Sequence, residues 1–282
     1  MAKLDKQWRY SSIEKRVFQA AMAGGFIDFT KEEGFDEANP PSISGRFLSQ
    51  LWSGALTPPG EAVRRISLVG LRIEGQVSLV GVRQVRGAGE NVASLFASDC
   101  EFDGVLFLDD APMADLRFTR CRFQSEAKVG SIFLAGSRLR GSLVMRHCSV
   151  AHTITFANST FGRAVVIDST TIGSEECPAE LIGEGASIGG NFTLNNSRIF
   201  GPVRLAGSKC DRFLAISGIE CGCVRAPGAT ISGELLMDRS TMRGEQVSLD
   251  FRNLTAGNVK LVKMALDGMA DMSAIACNDL IA

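Results

Sequence analysis

The 282-residue chain predicts a mainly β fold, a right-handed parallel β-helix (solenoid) of about eight coils behind a short α-helical N-terminal cap. Three observations predict it. An apolar pattern returns every 10 to 12 residues over most of the chain, and many of the 30 glycines keep phase with it. Aromatic usage is lopsided, with 17 Phe against one Tyr and two Trp. Phe carries no polar group that needs a partner, so it suits stacked positions in a dry interior.

Residues 1–62 lie outside the repeat and predict a helical cap. Ser11 with Glu14 forms a capping box, followed by Ile13, Val17 and Ala20 or Ala21 at helical spacing, with Gly24 and Gly25 as the stop. A second helix is expected over Ser44–Trp52, its apolar side formed by Phe47, Leu48, Leu51 and Trp52. Pro40-Pro41 and Pro58-Pro59 bracket it. These helices are expected to plug the first coil and hide an open sheet edge.

Residues 63–268 carry the repeat. IFLAGSRLRG (132–141), FTLNNSRIFG (192–201) and LLMDRSTMRG (235–244) share an apolar residue at positions 1 and 3, a small one at 6, an apolar one at 8 and Gly at 10. Fourteen unit starts run from Leu106 to Val259, among them Leu116, Ile132, Leu143, Ile154, Val165, Leu181, Val224, Leu235 and Val247. Positions 1, 3, 6 and 8 do not follow a helical face, and a glycine at every tenth or eleventh residue would cripple helices. Positions 1 and 3 point the same way from a short strand, as do 6 and 8. Each unit is therefore two short strands and two bends, and two units of about 22 residues close one coil, stacked ~4.8 Å from the next. Longer steps put inserted loops at Gln84–Ser94, Ser125–Ser131 and Ser174–Glu180. Residues 269–282, rich in methionine and small apolar residues, read as a C-terminal tail or cap.

Thirty basic and 31 acidic side chains leave a formal net charge of −1. That balance speaks against nucleic acid as a partner and equally against an acidic nucleic-acid mimic. No apolar run approaches the ~18 residues a membrane span needs, and the start MAKLDKQWRY lacks the apolar region of a signal peptide. The expected location is the cytoplasm, with membrane contact at most peripheral. Eight cysteines without a secretion signal read as reduced thiols. Cys100, Cys121 and Cys148 fall at position 6 and Cys210 and Cys221 at position 8, inward sites that a free thiol fills well. No CxxC pair exists and only two histidines are present, His147 and His152; no metal and no cofactor is expected.

ITFANSTFGR (154–163) and LRFTRCRFQS (116–125) resemble pentapeptide repeats, with Phe156 and Phe161 in the large inward role and Ile154 and Ser159 in the other. The five-residue beat is stretched here to five-plus-six, which makes the chain similar to a divergent relative whose coil departs from a regular square. A closer resemblance is to bacterial proteins often labelled membrane-associated oxidoreductase. Their LxGAxIxGxLxL pattern is matched by SLVGLRIEGQVSL (67–79) and GEGASIGGNFTL (183–194), and their preceding helix by ISGRFLSQLWSG (43–54). The resemblance implies the solenoid fold and, through the label, an oxidoreductase activity, but it brings no catalytic motif.

The residues themselves offer little chemistry. Asp109-Asp110, Asp168 and Asp238 sit at unit corners, where paired carboxylates would serve carbohydrate cleavage but where Asp more commonly forms turns. Gly183, Gly185, Gly189 and Gly190 lie inside a unit with no helix to follow, unlike a dinucleotide loop, and Gly87-Ala88-Gly89 reads as loop. Cys221 and Cys223 offer a redox pair only if Cys223 is exposed past the end of its unit. Position 7 faces solvent and holds Arg72, Arg122, Arg138, Arg198 and Lys209, suited to acidic headgroups but interleaved with Glu101 and Glu220. Position 2 should also face outward, yet it holds Phe96, Phe107, Phe133, Val144 and Val166. An outward apolar stripe marks a binding surface unless the cap or a loop covers it.

The reading that follows is a non-enzymatic repeat scaffold that binds a protein through a lateral face or a free end. Its partner is another protein or a second copy of itself, associated laterally or end to end. The alternatives are an oxidoreductase, a carbohydrate-active solenoid, or a protein attached peripherally to a membrane.

Overall fold

The computed structural model describes residues 10–58, 61–80, 93–125, 130–244 and 246–281. Between Arg65 and Ile281 the backbone winds as a parallel β-solenoid of about eight coils. In the coil that begins at Leu116 the strands are Leu116–Thr119, Arg122–Phe123, Ile132–Phe133 and Arg138–Leu139. These define the first to fourth faces of a four-sided tube. The stretched beat therefore keeps four sides, because the first-face strand of this coil has four residues and the other three have two. Equivalent positions stack in register: Leu116 lies beside Leu95 and Leu143, Leu143 beside Val165, and Val165 beside Phe192. Thr230–Asp238 runs round a corner and joins the first and fourth faces into one 16-stranded sheet.

Positions 1, 3, 6 and 8 point inward as the strand period requires. Leu116, Phe118, Cys121 and Phe123 are all buried, and so is Phe102 one coil earlier. Phe102 stacks on Phe123 with ring centres 4.8 Å apart, and Phe118 meets both edge-on at 5.8 and 5.1 Å. Stacking on both sides is what lets a unit this thin bury its apolar pairs.

The bends have their own chemistry. All eleven described non-glycine residues with positive φ stand at position 5 of a unit, among them Asp99, Arg120, His147, Asn158, Ser169, Asn196 and Asn253. Where position 5 is glycine, as at Gly136, Gly185 and Gly207, φ is positive too. At the corner that closes each coil the reason for glycine is contact. A Cβ on Gly162 would lie 2.3 Å from the Arg140 carbonyl oxygen of the coil below.

One unit start is corrected. Leu249, not Val247, pairs with Val224, so Leu254 and Ala256 take the inward sites. The corner between Met242 and Leu249 is longer than the one before it, between Cys221 and Val224, which shifts the frame. The insertion at Ser174–Glu180 sits between the second and third faces, as does Ser125–Ser131, of which 126–129 lie outside the described residues. Of the loop expected at Gln84–Ser94, residues 84–92 also lie outside them, Gly87 to Gly89 included, whereas Ser94 already belongs to the first-face strand Ser94–Ser98.

Two α-helices precede the tube. α1 (Ser12–Met22) starts on the expected box: Ser11 Oγ accepts from the Glu14 N–H at 3.1 Å and Glu14 Oε2 from the Ser11 N–H at 2.8 Å. Glu14 Oε1 also accepts from the Ser44 N–H at 3.0 Å, and Ser44 is the N-cap of α2 (Gly45–Trp52). Between the helices, Ile27–Asp28 and Ser42–Ser44 add a rung to the first and second faces. α2 packs against the edge of the third face, where Ser49 Oγ accepts the Ser78 N–H at 2.8 Å. At the other end the winding continues through the segment set apart as a tail: Met269–Asp271 pairs with the third face and Asp279–Ile281 with the first. No helix among the described residues is long and apolar enough to cross a membrane.

Candidate functional site

Because two units make one coil, odd and even units place the same position on opposite sides of the tube. This divides the position-2 stripe. Phe96, Val144 and Val166 stand on the first face, in a column that Arg117 interrupts between Phe96 and Val144. Phe107 and Phe133 stand on the third face, adjacent in register. All five are half-buried. The Phe96 ring lies under two guanidinium groups, Arg117 at 5.2 Å and Arg65 at 5.9 Å. Phe107 and Phe133 stack on each other at 5.1 Å and 12°. Their column continues through Thr155 and Ile182 and then changes character at Arg204 and Arg225. Gly130 lies against the Phe133 ring so closely that a Cβ there would come within 2.7 Å of it.

The basic position-7 side chains divide in the same way. Arg72, Arg122 and Arg198 are on the second face and Arg138 and Lys209 on the fourth. The second-face cations are matched by acids in their own column: Arg72 and Arg122 flank Glu101, and Arg198 and Arg243 meet Glu220. Near that face, at the corner with the first, lies a polar groove of about 420 Å³ lined in part by Ser169, Asn196, Arg198 and Arg239. Its arginines are engaged by Glu220 and Asp238.

The corner aspartates are engaged by neighbours, Asp168 by Ser169 Oγ and Asn196 Nδ2 and Asp238 by Arg239 Nε. Asp109 Oδ1 accepts the Ala135 N–H at 2.7 Å; burial raises the Asp109 carboxyl and that hydrogen bond opposes the rise. Asp168 and Asp238 share a column three rungs apart, through Asn195 and Ser217. At ~4.8 Å per rung that is about 14 Å, beyond either carboxylate separation used in glycoside hydrolysis. Gly185 is an αL corner, Gly189 and Gly190 are close-contact corners, and Gly183 leaves room for the Phe156 ring. None of them opens a helix.

The five inward cysteines are buried as expected. Cys223, on whose exposure a redox pair depended, is buried as well. Burial pushes the Cys223 thiol up and the Cys221 thiol up to about 12. Neither has the environment of a reactive pair. Among the described residues no group of three or more His, Cys, Asp or Glu is arranged to hold a metal.

One constellation escaped the sequence reading. His152 meets Cys177, Sγ to Nδ1 at 3.3 Å, at the corner where the two insertions emerge. The signal was the matching place of those insertions, one on each side of the coil that carries His152.

No family model matches the chain, and neither the curated proteins nor the solved structures contain a match.

Proposed function

We propose that the protein is a non-enzymatic repeat scaffold that holds a protein partner against the third face of the tube. The Phe107–Phe133 stack carries this reading: two adjacent outward rings on a sheet, with Ile182 farther along the same column. Outward apolar side chains on a backbone already fixed by neighbouring coils supply contact area with little ordering cost. The partner that fits is a protein with an apolar patch of its own. The first-face residues Phe96, Val144 and Val166 are a weaker candidate, since Arg117 breaks their column. On this reading the oxidoreductase activity implied by the resemblance is not the task of this chain. Its kinship with pentapeptide-repeat-like solenoids is supported by the four-sided coil, and a cytoplasmic location by eight unpaired thiols.

The test compares three proteins in native cells by cross-linking and mass spectrometry: the wild type, Phe107→Ser/Phe133→Ser, and Phe96→Ser as the first-face control. The third-face variant should lose its specific partner by about 10-fold or more, as loss of a clustered aromatic anchor does, while melting cooperatively. Recovery equal to that of the wild type would overturn the proposal.

A further inference from the structure

The two insertions emerge at the same corner of the tube, two coils apart, and the corner of the coil between them holds His152. There the ring is fixed from both sides. Nε2 lies 2.9 Å from the Ser125 carbonyl oxygen, and Nδ1 lies 3.3 Å from Cys177 Sγ. A carbonyl oxygen only accepts, so Nε2 carries a proton. In the neutral ring, Nδ1 then presents its lone pair to the thiol. The backbone on each side is tied down: His152 N–H donates to Ser131 Oγ at 3.1 Å, and Cys177 N–H to Ser174 Oγ at 3.1 Å. Three coils thus contribute one group each.

The other thiols have a different setting. Cys100, Cys121, Cys148 and Cys210 are buried and direct their S–H groups at backbone carbonyls. Cys177 is partly exposed and faces a base instead. A thiol needs a neighbouring base and access to solvent to act as a nucleophile near neutral pH.

We propose that Cys177 and His152 form a thiol–imidazole pair that makes Cys177 the hydroperoxide-reactive site of this chain. His152 Nδ1 takes the thiol proton and the thiolate sulfur attacks one oxygen of hydrogen peroxide. The S–O bond forms as the O–O bond breaks. Sulfur loses two electrons, the peroxide gains them, and the departing hydroxide collects the proton from Nδ1 and leaves as water. Cys177 is left as a sulfenic acid. The inserted segment 174–180 loses its thiol anchor to the tube, next to Ile182 on the third face.

The experiment treats the full-length folded protein with hydrogen peroxide at pH 7, traps sulfenic acid with dimedone, and measures each cysteine by peptide mass spectrometry. Cys277, the other partly exposed thiol, is the internal reference. Cys177 should be trapped about 10-fold faster than Cys277 in the wild type, because His152 Nδ1 stands at hydrogen-bond distance to take its proton. It should fall to the Cys277 rate in His152→Ala. His152→Gln, which keeps a donor for the Ser125 carbonyl but supplies no base, should fall equally. Protection of Cys121 from labelling reports that each variant is folded. A Cys177 rate no greater than that of Cys277, or one unchanged or raised in the folded variants, would overturn the pairing.

Discussion

The left-handed corner at position 5 is a recurring local cost of this coil. An L-residue with a side chain loses roughly 1–2 kcal/mol there, and only glycine, with asparagine and aspartate to a lesser degree, adopts the conformation readily. His147 has φ 53° and is exposed, so replacing it removes that penalty and little else. His147→Gly should stabilise the chain by roughly 0.5–1 kcal/mol, the αL penalty less the entropy that glycine adds to the unfolded chain, as read by chemical denaturation. Close-contact glycines behave in the opposite way. Gly162→Ala should cost about 2 kcal/mol or more, because its Cβ meets a backbone carbonyl that cannot move independently of its coil. Gly207→Ala should cost only the αL strain of about 1 kcal/mol, since nothing lies within 4 Å of the added Cβ. Comparison of the two unfolding free energies separates contact from conformation. The sequence made the two bends of each unit visible, but not which corner residue takes positive φ.

At the scale of elements, the tube protects its N-terminal edge by pairing, by capping and by packing. Ile27–Asp28 and Ser42–Ser44 pair with the first two faces, and α2 packs on the third. Ser49 Oγ stands in for the missing strand by accepting the Ser78 N–H and at the same time donates to the Gly45 carbonyl within its own helix. Ser49→Ala should cost about 1–2 kcal/mol by leaving that strand donor without its partner. Hydrogen exchange at Ser78 should speed up accordingly. Both helices were legible beforehand because a capping box and a 3.6-residue apolar period are local signals. The two short strands between them were not, since two or three residues carry no period. The same limit explains the divided stripe. The five stripe residues at position 2 are half-buried, but which face each occupies depends on whether its unit opens or completes a coil. Cys177 and His152 were illegible for a related reason: their contact is set by rungs, and 25 residues separate them along the chain.

Taken as a whole, the tube holds five thiols that resist ionisation in place, and this sets its response to alkali. Burial raises Cys121, Cys210, Cys221 and Cys223, and Cys148 is raised first by its hydrogen bond with Cys121 and then by burial. In the unfolded chain these thiols titrate near the ordinary value of about 8.5. Below that pH both states hold the protons and folding is indifferent to them. Above it the unfolded state releases protons that the folded state retains. The unfolded state then binds fewer protons, so stability falls as pH rises, by about 1.4 kcal/mol per pH unit for each fully engaged thiol. The loss ends only where the folded thiols themselves ionise, at about pH 12 for Cys221. The melting temperature should therefore hold steady from pH 7 to 8 and drop steeply between pH 9 and 10. Cys121→Ala should flatten that drop by about one proton's worth, although it lowers the neutral-pH melting temperature by leaving a small cavity. A melting temperature indifferent to pH over this range would mean that the inward column is open to water, and with it the packing that stacks one coil on the next.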